Sequence, residues 1–413
     1  MRYAVIGKSL PHTISPRLHN MLGNLSYGVK EFEDEVALRR FVESRECVGY
    51  NVTIPYKQAV MPFLDEIDEE AKAIGAVNTV VTVNGKLLGY NTDIGGVELA
   101  FKTAGIDVEG KRVLVLGSGG TSKTVSFYLE KHGAKSVDIV SRSGELNYEN
   151  VYQKVDTQII VNTTPVGTLS IERLLDLSKF LRLEGVFDAI YNPLETALVR
   201  QARSLGVKAA NGLVMLIEQG RLANNLFAKA NDGSITLQGE EKTLEIVRAL
   251  ENERRNVVLV GMAGCGKSTL GKLLGERLGK EFVDLDSEIE KREKKTIPEI
   301  FAESGEKGFR RIESEIVAEF SMQAGQVIAT GGGAVLDARN VEYLKSNGVV
   351  VFVRRDVQKL AREGRPLSKD LDTVRKLYCE REPIYQAVAD FEADNNGDVE
   401  SAANEVLNRL KTI

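Results

Sequence analysis

The chain has 413 residues, more than one compact hydrophobic core usually spans, so we expect two or three domains. Apolar residues make up 43% of it and charged residues 27%, a balance that excludes wholesale disorder. The formal net charge of −5 argues against a general binder of polyanions, and we expect no nucleic-acid partner.

The cysteines and the N-terminal segment indicate the compartment. Cys47, Cys265 and Cys379 are the only cysteines, and none stands in a C-x-x-C pair or near a histidine cluster, which predicts neither a disulfide framework nor a structural zinc site. The opening segment MRYAVIGKSLPH lacks the apolar stretch of a signal peptide. No apolar run approaches the roughly 18 residues that a membrane span needs. We therefore expect a soluble, cytoplasmic protein without a membrane partner.

Short apolar runs alternate with longer helical patterns along the whole chain. Buried strands separated by helices are typical of parallel α/β sheets, so this is the fold class that we predict. The runs are Tyr3–Gly7, Arg112–Gly117, Val137–Val140, Gln158–Asn162, Val257–Gly261, Val327–Thr330 and Val349–Val353.

Several loops that follow predicted strands in the first 96 residues combine glycine or proline with polar side chains. They read GKSLPHTISPRLHN, GYNVTIPYKQ, GAVNT and GYNTDIGG. Each alone has the composition of an ordinary turn. Their repeated position at strand ends makes them candidate binding loops as a set.

A glycine-rich turn begins a second part of the first half at about Lys111. The segment KRVLVLGSGGTSKTVSFYLEKHGAKSVDIVSRS predicts a strand, a glycine turn, a helix and a second strand. Gly117, Gly119 and Gly120 occupy the turn, whereas Ser122 stands where the third glycine of G-x-G-x-x-G would fall. This arrangement favours a dinucleotide site with the pyrophosphate at the start of the helix.

The end of the second strand indicates which dinucleotide binds. The strand ends at Ser141 and Arg142, not at the acidic residue that would bind a free ribose 2′-hydroxyl, which favours a 2′-phosphate and hence NADP(H). Glu145 follows three residues later, and we expect it to face solvent. The alternative is that Arg142 simply lies on a solvated loop.

A charged helical stretch ending near Arg255 gives way to an apolar strand, and we place a domain boundary at 253–256. The segment VVLVGMAGCGKSTL then carries Gly261, Gly266, Lys267 and Ser268 in the order G-x-x-x-x-G-K-S, after a strand and before a helix. Such a loop turns backbone N–H groups toward phosphate, with the lysine on the β- and γ-phosphates and the hydroxyl on Mg²⁺. We expect ATP and Mg²⁺ here.

Charged residues and glycines recur at later predicted strand and helix ends. Asp284 and Asp286 follow a strand in FVDLDSEIE, where one carboxylate can support Mg²⁺ through water and the other can orient a substrate hydroxyl. Arg310 and Glu313 share a helix face, and a triple glycine follows the next strand. Arg365 and Arg381 come later, and each alone has the appearance of surface charge.

Residues 1–250 resemble shikimate dehydrogenase, through the loops quoted above and through NTTPVG, DAIYNPLET and NGLVMLIEQG. The resemblance implies that Lys57 and Asp93 are the catalytic pair, in which an ammonium held by a carboxylate gives a proton to the alkoxide formed by hydride transfer. It also implies substrate contacts from these two and from Thr13, Ser15, Thr53, Asn78, Tyr191 and Gln219. The implied NADP contacts are Glu69, Gly117, Ser118, Gly119, Gly120, Thr121, Ser141, Arg142, Asn162, Thr163, Ala189 and Gly212.

Residues 256–413 resemble shikimate kinase, through GMAGCGKST, FVDLD, IPEIFAESGEKGFRRIE, VIATGGG, RPL and REPIY in that order. The resemblance implies Lys267 and Asp286 as catalytic residues, with Asp286 on the attacking hydroxyl. The implied ATP contacts are Gly264, Cys265, Gly266, Lys267, Ser268, Thr269, Arg362 and the lid residue Arg365. The implied shikimate contacts are Asp286, Arg310, Glu313, Gly332 and Arg381, and the implied Mg²⁺ ligands are Ser268 and, through water, Asp284.

Together the resemblances imply a bifunctional enzyme that reduces 3-dehydroshikimate with NADPH and phosphorylates shikimate with MgATP, as a monomer or a homodimer. We assign 1–93 and 213–252 to a substrate domain, 94–212 to a Rossmann-like NADP domain, and 253–413 to a P-loop kinase domain with a parallel five-stranded sheet. Two alternatives stay open: an NAD-dependent quinate/shikimate dehydrogenase in the first half, or a metabolite-sensing regulator built from inactive enzyme-like domains.

Overall fold

The structure is a computed structural model that describes residues 2–11, 13–24, 26–230, 235–360 and 371–412. The chain forms two compact units. The first comprises Met1–Val166, Arg173–Tyr191 and Leu198–Ala249, and the second comprises Gly167–Glu172, Asn192–Ala197 and Leu250–Ile413. Within the described ranges, no helix combines the length and the apolar character that crossing a membrane requires.

The first unit begins with a six-stranded sheet in the order β2-β1-β3-β5-β6-β4. The strands are β1 (Tyr3–Gly7), β2 (Tyr27–Glu31), β3 (Gly49–Val52), β4 (Glu66–Ile67), β5 (Thr79–Val83) and β6 (Lys86–Tyr90). The helices are α1 (Ser15–Met21), α2 (Glu35–Ser44), α3 (Glu69–Ile74) and α4 (Asp93–Ala104). β1 pairs in parallel with β2 and β3, as the alternating pattern predicts.

Part of this sheet differs from the parallel pattern, because β5 runs antiparallel to both β3 and β6. A two-residue turn joins β5 to β6, and Asn84 and Gly85 in it have φ of 50° and 78°. Positive φ at both central residues is what a tight hairpin turn requires, and Asn-Gly is its usual sequence. The sheet is therefore mixed.

A second sheet of the first unit is fully parallel, with the order β11-β10-β9-β7-β8. Its strands are β7 (Arg112–Leu116), β8 (Ser136–Val140), β9 (Ile159–Asn162), β10 (Gly185–Asp188) and β11 (Lys208–Ala210). The helices are α5 (Gly120–Lys131), α6 (Ala197–Ser204) and α7 (Leu213–Ala230). The three strands predicted here are confirmed to within one residue at each end.

The second unit contains a parallel five-stranded sheet in the order β13-β14-β12-β15-β16, which confirms the predicted fold of this part. The strands are β12 (Asn256–Val260), β13 (Glu281–Asp284), β14 (Gln326–Ala329), β15 (Gly348–Arg354) and β16 (Phe391–Asp394). Helix α8 (Glu240–Arg254) precedes β12 and contains the boundary between the units, which falls between Ala249 and Leu250. The helices that follow in the second unit are α9 (Lys267–Leu278), α10 (Leu285–Glu293), α11 (Ile297–Met322), α12 (Ala338–Asn347), α13 (Leu371–Val388) and α14 (Val399–Leu410).

The central strands of the parallel sheets read as continuous apolar runs because helices cover both of their faces. Val258, Leu259 and Val260 of β12 each have 0% of their surface exposed. Burial on both faces leaves the carboxyl ends of these strands as the edge where polar side chains and open backbone occur. Both candidate sites include loops at such edges.

Candidate active sites

A cavity of about 480 Å³ in the first unit collects residues from loops that are distant in sequence. Eleven residues of the predicted dehydrogenase site line it. They are Thr13, Ser15, Thr53, Lys57, Asn78, Asp93, Thr121, Ala189, Tyr191, Gly212 and Gln219.

Lys57 and Asp93 form an ion pair at the wall of this cavity, with 2.6 Å between Nζ and Oδ2. Their side chains are only 17% and 8% exposed, so solvent screens the pair weakly. Asp93 is the first residue of α4, where the helix dipole favours a negative charge. The Asn78 amide donates to the other carboxylate oxygen at 2.8 Å. Both carboxylate oxygens are therefore engaged, and the ammonium is fixed where it faces the cavity.

Asn78 is itself held in place by hydrogen bonds. Its Oδ1 accepts from the Thr92 backbone N–H at 2.8 Å and from the Thr79 hydroxyl at 3.0 Å. Asn51 donates from Nδ2 to the Asn78 carbonyl at 3.3 Å and to Thr79 Oγ1 at 3.0 Å. Asn51 also lines the cavity, although the sequence analysis did not select it. Its place in the segment GYNVTIPYKQ, which also contains Thr53 and Lys57, was a usable signal.

A buried histidine continues this polar network beneath the cavity. The His19 ring stacks on Tyr27 with 3.8 Å between centroids, and Nδ1 lies 3.2 Å from Asn224 Oδ1. The Tyr27 hydroxyl donates to Asn51 Oδ1 at 2.7 Å. Burial lowers the pKa of His19 to about 4, so the ring is neutral at physiological pH.

Hydroxyl and amide groups line the rest of the cavity. The Thr13 hydroxyl donates to Ser15 Oγ at 3.1 Å just before α1 begins. Gln219 in α7 donates from Nε2 to the Leu216 carbonyl at 2.8 Å, which fixes its amide group beside the cavity. Such groups recognise a polyhydroxylated ligand through several directed hydrogen bonds.

The glycine turn after β7 has the conformation that a close approach requires. Gly117 has φ of 104°, and a Cβ there would lie 2.9 Å from Thr163 Oγ1. Gly119 caps α5 without any side-chain hydrogen bond to the helix start, whose N–H groups stay open to an anion. A Cβ at Gly119 or Gly120 would meet no atom within 4 Å. The turn therefore has room for a pyrophosphate group.

Arg142 follows β8 as predicted, and its side chain is exposed. Among the residues that the structure describes, it makes no ion pair or hydrogen bond. Glu145 is also exposed, which confirms the expectation that it faces solvent. An unpaired guanidinium at this strand end fits the 2′-phosphate of NADP(H).

Other predicted cofactor residues do not line this cavity. Glu69 is exposed at the start of α3. The buried Asn162 amide donates to Asp188 at 2.9 Å and accepts from the Thr164 N–H at 2.9 Å. The Thr163 hydroxyl donates to the Leu116 carbonyl at 2.7 Å. The Asn162 and Thr163 side chains thus stabilise the strand ends beside the glycine turn. The remaining predicted cofactor residues lie at the ends of β7 and β8: Gly117, Ser118, Gly119, Gly120, Ser141 and Arg142.

The second unit contains a cavity of about 460 Å³ at the carboxyl edge of its sheet. Most of the predicted kinase residues line it: Gly264, Gly266, Lys267, Ser268, Thr269, Asp284, Asp286, Arg310, Glu313, Gly332 and Arg381. Cys265 does not, because its side chain is fully buried below the loop. Arg362 and Arg365 lie outside the described residues.

The glycine loop after β12 is shaped for phosphate. Gly261, Gly264 and Gly266 have φ of 141°, 86° and 96°, a region that favours glycine. Lys267 is 7% exposed, and its Nζ donates to the carbonyls of Gly261 and Met262, each at 2.9 Å. α9 starts at Lys267 with no side-chain cap, so its first N–H groups stay open to an anion.

Ser268 and Asp284 place a hydroxyl next to a carboxylate beside this loop. The Ser268 hydroxyl donates to Asp284 Oδ2 at 2.5 Å, and Asp284 Oδ1 accepts from the Asp286 N–H at 3.1 Å. No cluster of three or more His, Cys, Asp or Glu side chains able to hold a metal occurs in the described ranges. Mg²⁺ at nucleotide sites typically takes only one or two protein ligands and completes its shell with phosphate and water. A hydroxyl next to a carboxylate fits that ion.

Two carboxylates face each other across Gly331. A Cβ on this glycine would lie 2.6 Å from Glu313 Oε1 and 2.8 Å from Asp286 Oδ1, so a larger residue would displace these carboxylates. Glu313 accepts from Arg310 at 2.6 Å, as the shared helix face predicts. Burial raises the pKa of Glu313, Arg310 opposes this rise, and the charge of Asp286 adds to it. Negative charge is thus concentrated where Asp286 meets the cavity.

Two guanidinium groups approach the cavity from different helices. Arg381 of α13 is 9% exposed and donates to the Gly332 carbonyl at 3.3 Å. The Tyr385 hydroxyl donates to the same carbonyl. Arg310 belongs to α11. Two planar cations at one cavity suit a carboxylate ligand.

The cavity also contains residues that the sequence analysis did not select, among them Phe301, Phe309 and Arg355. The phenylalanines follow the helical spacing of a core face, which hid their exposure to the cavity. Arg355 stands in the pair Arg354–Arg355 after an apolar run, and only the end of β15 decides which of the two faces inward.

Both halves of the chain are similar to known proteins. Residues 5–80 match the sequence model described as the shikimate dehydrogenase substrate binding domain, and residues 263–411 match the one described as shikimate kinase. A shikimate dehydrogenase (NADP(+)) of Clostridium perfringens (strain SM101 / Type A) is 36% identical over 252 residues, which covers 54% of this chain and 91% of that protein.

Solved structures give the same result for the first unit. Shikimate 5-dehydrogenase from Thermus thermophilus, in complex with NADP(H) and shikimate, has a TM-score of 0.54 and 31% identity, covering 60% of this chain and 99% of that chain. A chorismate mutase/shikimate 5-dehydrogenase fusion protein from Clostridium acetobutylicum has a TM-score of 0.55 and 32% identity, covering 60% of this chain and 96% of that chain.

Proposed function

We propose that this chain reduces 3-dehydroshikimate to shikimate and then phosphorylates the shikimate. The chain belongs to the shikimate dehydrogenase family, and a shikimate kinase domain follows its dehydrogenase part. It is an NADP-dependent oxidoreductase and an ATP-dependent phosphotransferase, a bifunctional enzyme of the shikimate pathway. The observation that carries the detailed proposal is the presence of two separate cavities, each with its own charged reaction centre.

In the first cavity NADPH would supply a hydride to the substrate carbonyl carbon. The ammonium of Lys57 would donate a proton to the oxygen as negative charge develops there, and Asp93 would keep that ammonium oriented. The support for these roles is the 2.6 Å ion pair, its low exposure, and the Asn78 hydrogen bond to the second carboxylate oxygen.

Substrate and cofactor binding would use the remaining polar residues of the first unit. Thr13, Ser15 and Gln219 would bind carboxylate and hydroxyl groups, together with Thr53, Asn78 and Tyr191. The start of α5 would hold the pyrophosphate of NADP(H), and Arg142 its 2′-phosphate. The exposed, unpaired guanidinium of Arg142 supports this preference.

In the second cavity Asp286 would orient and polarise the attacking 3-hydroxyl of shikimate, and Arg310 and Arg381 would bind its carboxylate. Lys267 and the open N–H groups of α9 would bind the β- and γ-phosphates of ATP. Ser268, and Asp284 through water, would hold Mg²⁺, which neutralises phosphate charge when bound. The 2.5 Å contact between Ser268 and Asp284 supports this assignment.

The test is a one-pot reaction of the purified protein with 3-dehydroshikimate, NADPH, ATP and Mg²⁺. We expect shikimate 3-phosphate, oxidised cofactor and ADP in equal amounts. Omitting ATP should stop the reaction at shikimate, and EDTA should stop phosphorylation only.

Two outcomes would contradict the proposal. In separate assays of the first reaction, faster turnover with NADH than with NADPH, or faster oxidation of quinate than of shikimate, would favour the quinate/shikimate dehydrogenase alternative. Binding of substrates without turnover at either site would favour a sensor.

The cytoplasm as the compartment is part of the proposal, supported by three cysteines that form no disulfide.

A further inference from the structure

We propose that Arg355 is an additional phosphate ligand of the kinase cavity, one that binds the nucleotide beside Gly266 and stabilises the charge of the departing ADP. This inference rests on the proposed kinase function, and it adds a residue that neither the glycine-loop motif nor the sequence resemblance selects.

The end of β15 separates two adjacent arginines. β15 ends at Arg354, so Arg355 is the first residue after the strand. Arg354 is exposed and lies in a surface depression with Arg375 and Tyr378. Arg355 instead lines the cavity that contains Lys267 and Ser268. Only the second arginine is directed to the nucleotide loop.

Arg355 lies close to the glycine loop. A Cβ placed on Gly266 would lie 3.4 Å from Nη1 of Arg355. The loop is anchored on the same side by Asn395, whose Nδ2 donates to the Cys265 carbonyl at 2.7 Å. Because Gly266 immediately precedes α9, a phosphate bound at the start of that helix comes within reach of the guanidinium.

Arg355 differs from the other cations of the cavity in having no partner. Lys267 donates to two loop carbonyls, Arg310 pairs with Glu313, and Arg381 donates to the Gly332 carbonyl. Arg355 makes no hydrogen bond or ion pair with any residue in the described part of the chain. Its Nε is buried and lacks an acceptor. Buried donors without acceptors are unfavourable, so this site favours an anion that provides them.

The position suits the reaction as well as binding. In phosphoryl transfer the bond between the γ-phosphorus and the β,γ-bridging oxygen breaks, a new bond forms from the γ-phosphorus to the substrate hydroxyl oxygen, and the hydroxyl proton passes to the Asp286 carboxylate. ADP leaves with the electron pair of the broken bond. A guanidinium beside its phosphates stabilises that charge.

The experiment compares Arg355→Ala and Arg355→Gln with the parent, and uses Arg354→Ala as the matched control. Calorimetry with ADP, AMP and adenosine measures binding to the full chain, and ATP kinetics measure kcat and KM. Dehydrogenase activity reports that the chain remains folded. We expect the Arg355 variants to raise the Kd for ADP about 10- to 100-fold and to lower kcat, because a charge-assisted contact to the phosphates is lost. Adenosine binding should be unchanged, and Arg354→Ala should bind ADP as the parent does.

Thermal unfolding adds a measurement that does not depend on turnover. Without nucleotide the Arg355 variants should melt no earlier than the parent, because they lose an unpartnered charge, whereas the stabilisation by ADP should shrink. An ADP Kd within twofold of the parent, or equal weakening of adenosine, would overturn the proposal. A parent that binds ADP through Arg355 but does not phosphorylate shikimate would contradict the proposed kinase function and leave this contact intact.

Discussion

Arg142 and His19 illustrate how the setting of one side chain determines what it contributes. Arg142 is exposed, without a partner in the described residues, and follows a strand that carries no acidic residue at its end. His19 is buried, stacked on Tyr27 and bonded to an amide. The first is available to a ligand, and the second stabilises the floor of the cavity.

The first prediction concerns cofactor choice. Replacing Arg142 with Ala should raise the KM for NADPH about 10-fold or more, because the 2′-phosphate loses a charge-assisted hydrogen bond. The KM for NADH should barely change, since NADH has no phosphate there. Steady-state kinetics with both cofactors measure the two KM values. An equal rise in the KM for NADPH and for NADH would mean that Arg142 does not bind the 2′-phosphate.

The second prediction concerns pH. His19 has a folded-state pKa of about 4, below its ordinary 6.5, so between these values the unfolded chain binds more protons than the folded one. The stabilising contribution is fully present above pH 6.5 and is lost as the pH falls toward 4. The two pKa values correspond to about 3 kcal/mol over that window.

Replacing His19 with Asn keeps a donor toward Asn224 but cannot titrate. Hydrogen exchange of amides in β1, β2 and β3, measured at pH 7 and pH 5, should show a smaller acid-induced loss of protection in this variant than in the parent. Identical losses in both would mean that His19 does not drive the acid sensitivity.

At the scale of elements, the turn between β7 and α5 contains two kinds of glycine: one that the backbone conformation requires and one that leaves room for a ligand. Gly117 has φ of 104° and faces Thr163, whereas a Cβ on Gly120 meets no atom within 4 Å. We predict that Gly117→Ala destabilises the first unit by at least about 1–2 kcal/mol, because an L-residue is strained at positive φ. Gly120→Ala is the matched control and should unfold like the parent.

Thermal unfolding of the two variants, with NADPH titrations, checks this prediction. Gly120→Ala should affect only the NADPH titration, where the added methyl group meets the bound pyrophosphate. If Gly117→Ala unfolded at the parent temperature, the positive φ of the turn would not be a structural requirement.

The sequence predicted those elements whose pattern is local. Tyr3–Gly7 is predicted to the residue, because a buried parallel strand is a continuous apolar run bounded by a glycine. The antiparallel β5–β6 hairpin was missed, although Asn84–Gly85 between two apolar runs is its usual turn sequence. The pattern of strands alternating with helices took precedence over that local signal.

The candidate sites show the same division. Lys57, Asp93 and the glycine loops stand in segments whose residue order is recognisable, and the structure brings them to the cavities. Asn51 stands in one of these segments, whereas Arg355 reaches its cavity only because of the exact place where β15 ends. Local spacing does not specify that place, because boundaries depend on how the strand pairs with its neighbours.

At the scale of the whole molecule, the two cavities belong to separate compact units, the first with two sheets and the second with one, and each unit has buried core residues of its own. Units with their own cores fold and react independently unless a large interface couples them. We predict that Lys57→Ala abolishes reduction of 3-dehydroshikimate and leaves phosphorylation of added shikimate nearly intact. Lys267→Ala should do the reverse.

Separate assays of the two half-reactions check this prediction, with Lys72→Ala as a control because Lys72 is exposed and lines neither cavity. The control should retain both activities. Loss of both activities in a folded single variant would reveal a coupling between the units that their separate cores do not predict.

The placement of both cavities on one polypeptide has a consequence for metabolic flux. Every chain that is synthesised adds one site of each kind, so changes in expression scale both reactions by the same factor. On the proposed function, and with both sites below saturation, the steady-state ratio of shikimate to 3-dehydroshikimate then depends on the ratio of the catalytic efficiencies of the two sites and not on the amount of enzyme. Substitutions that alter one site, such as those at Arg355 or Arg142, are therefore the changes by which this chain sets how much of the shared intermediate accumulates.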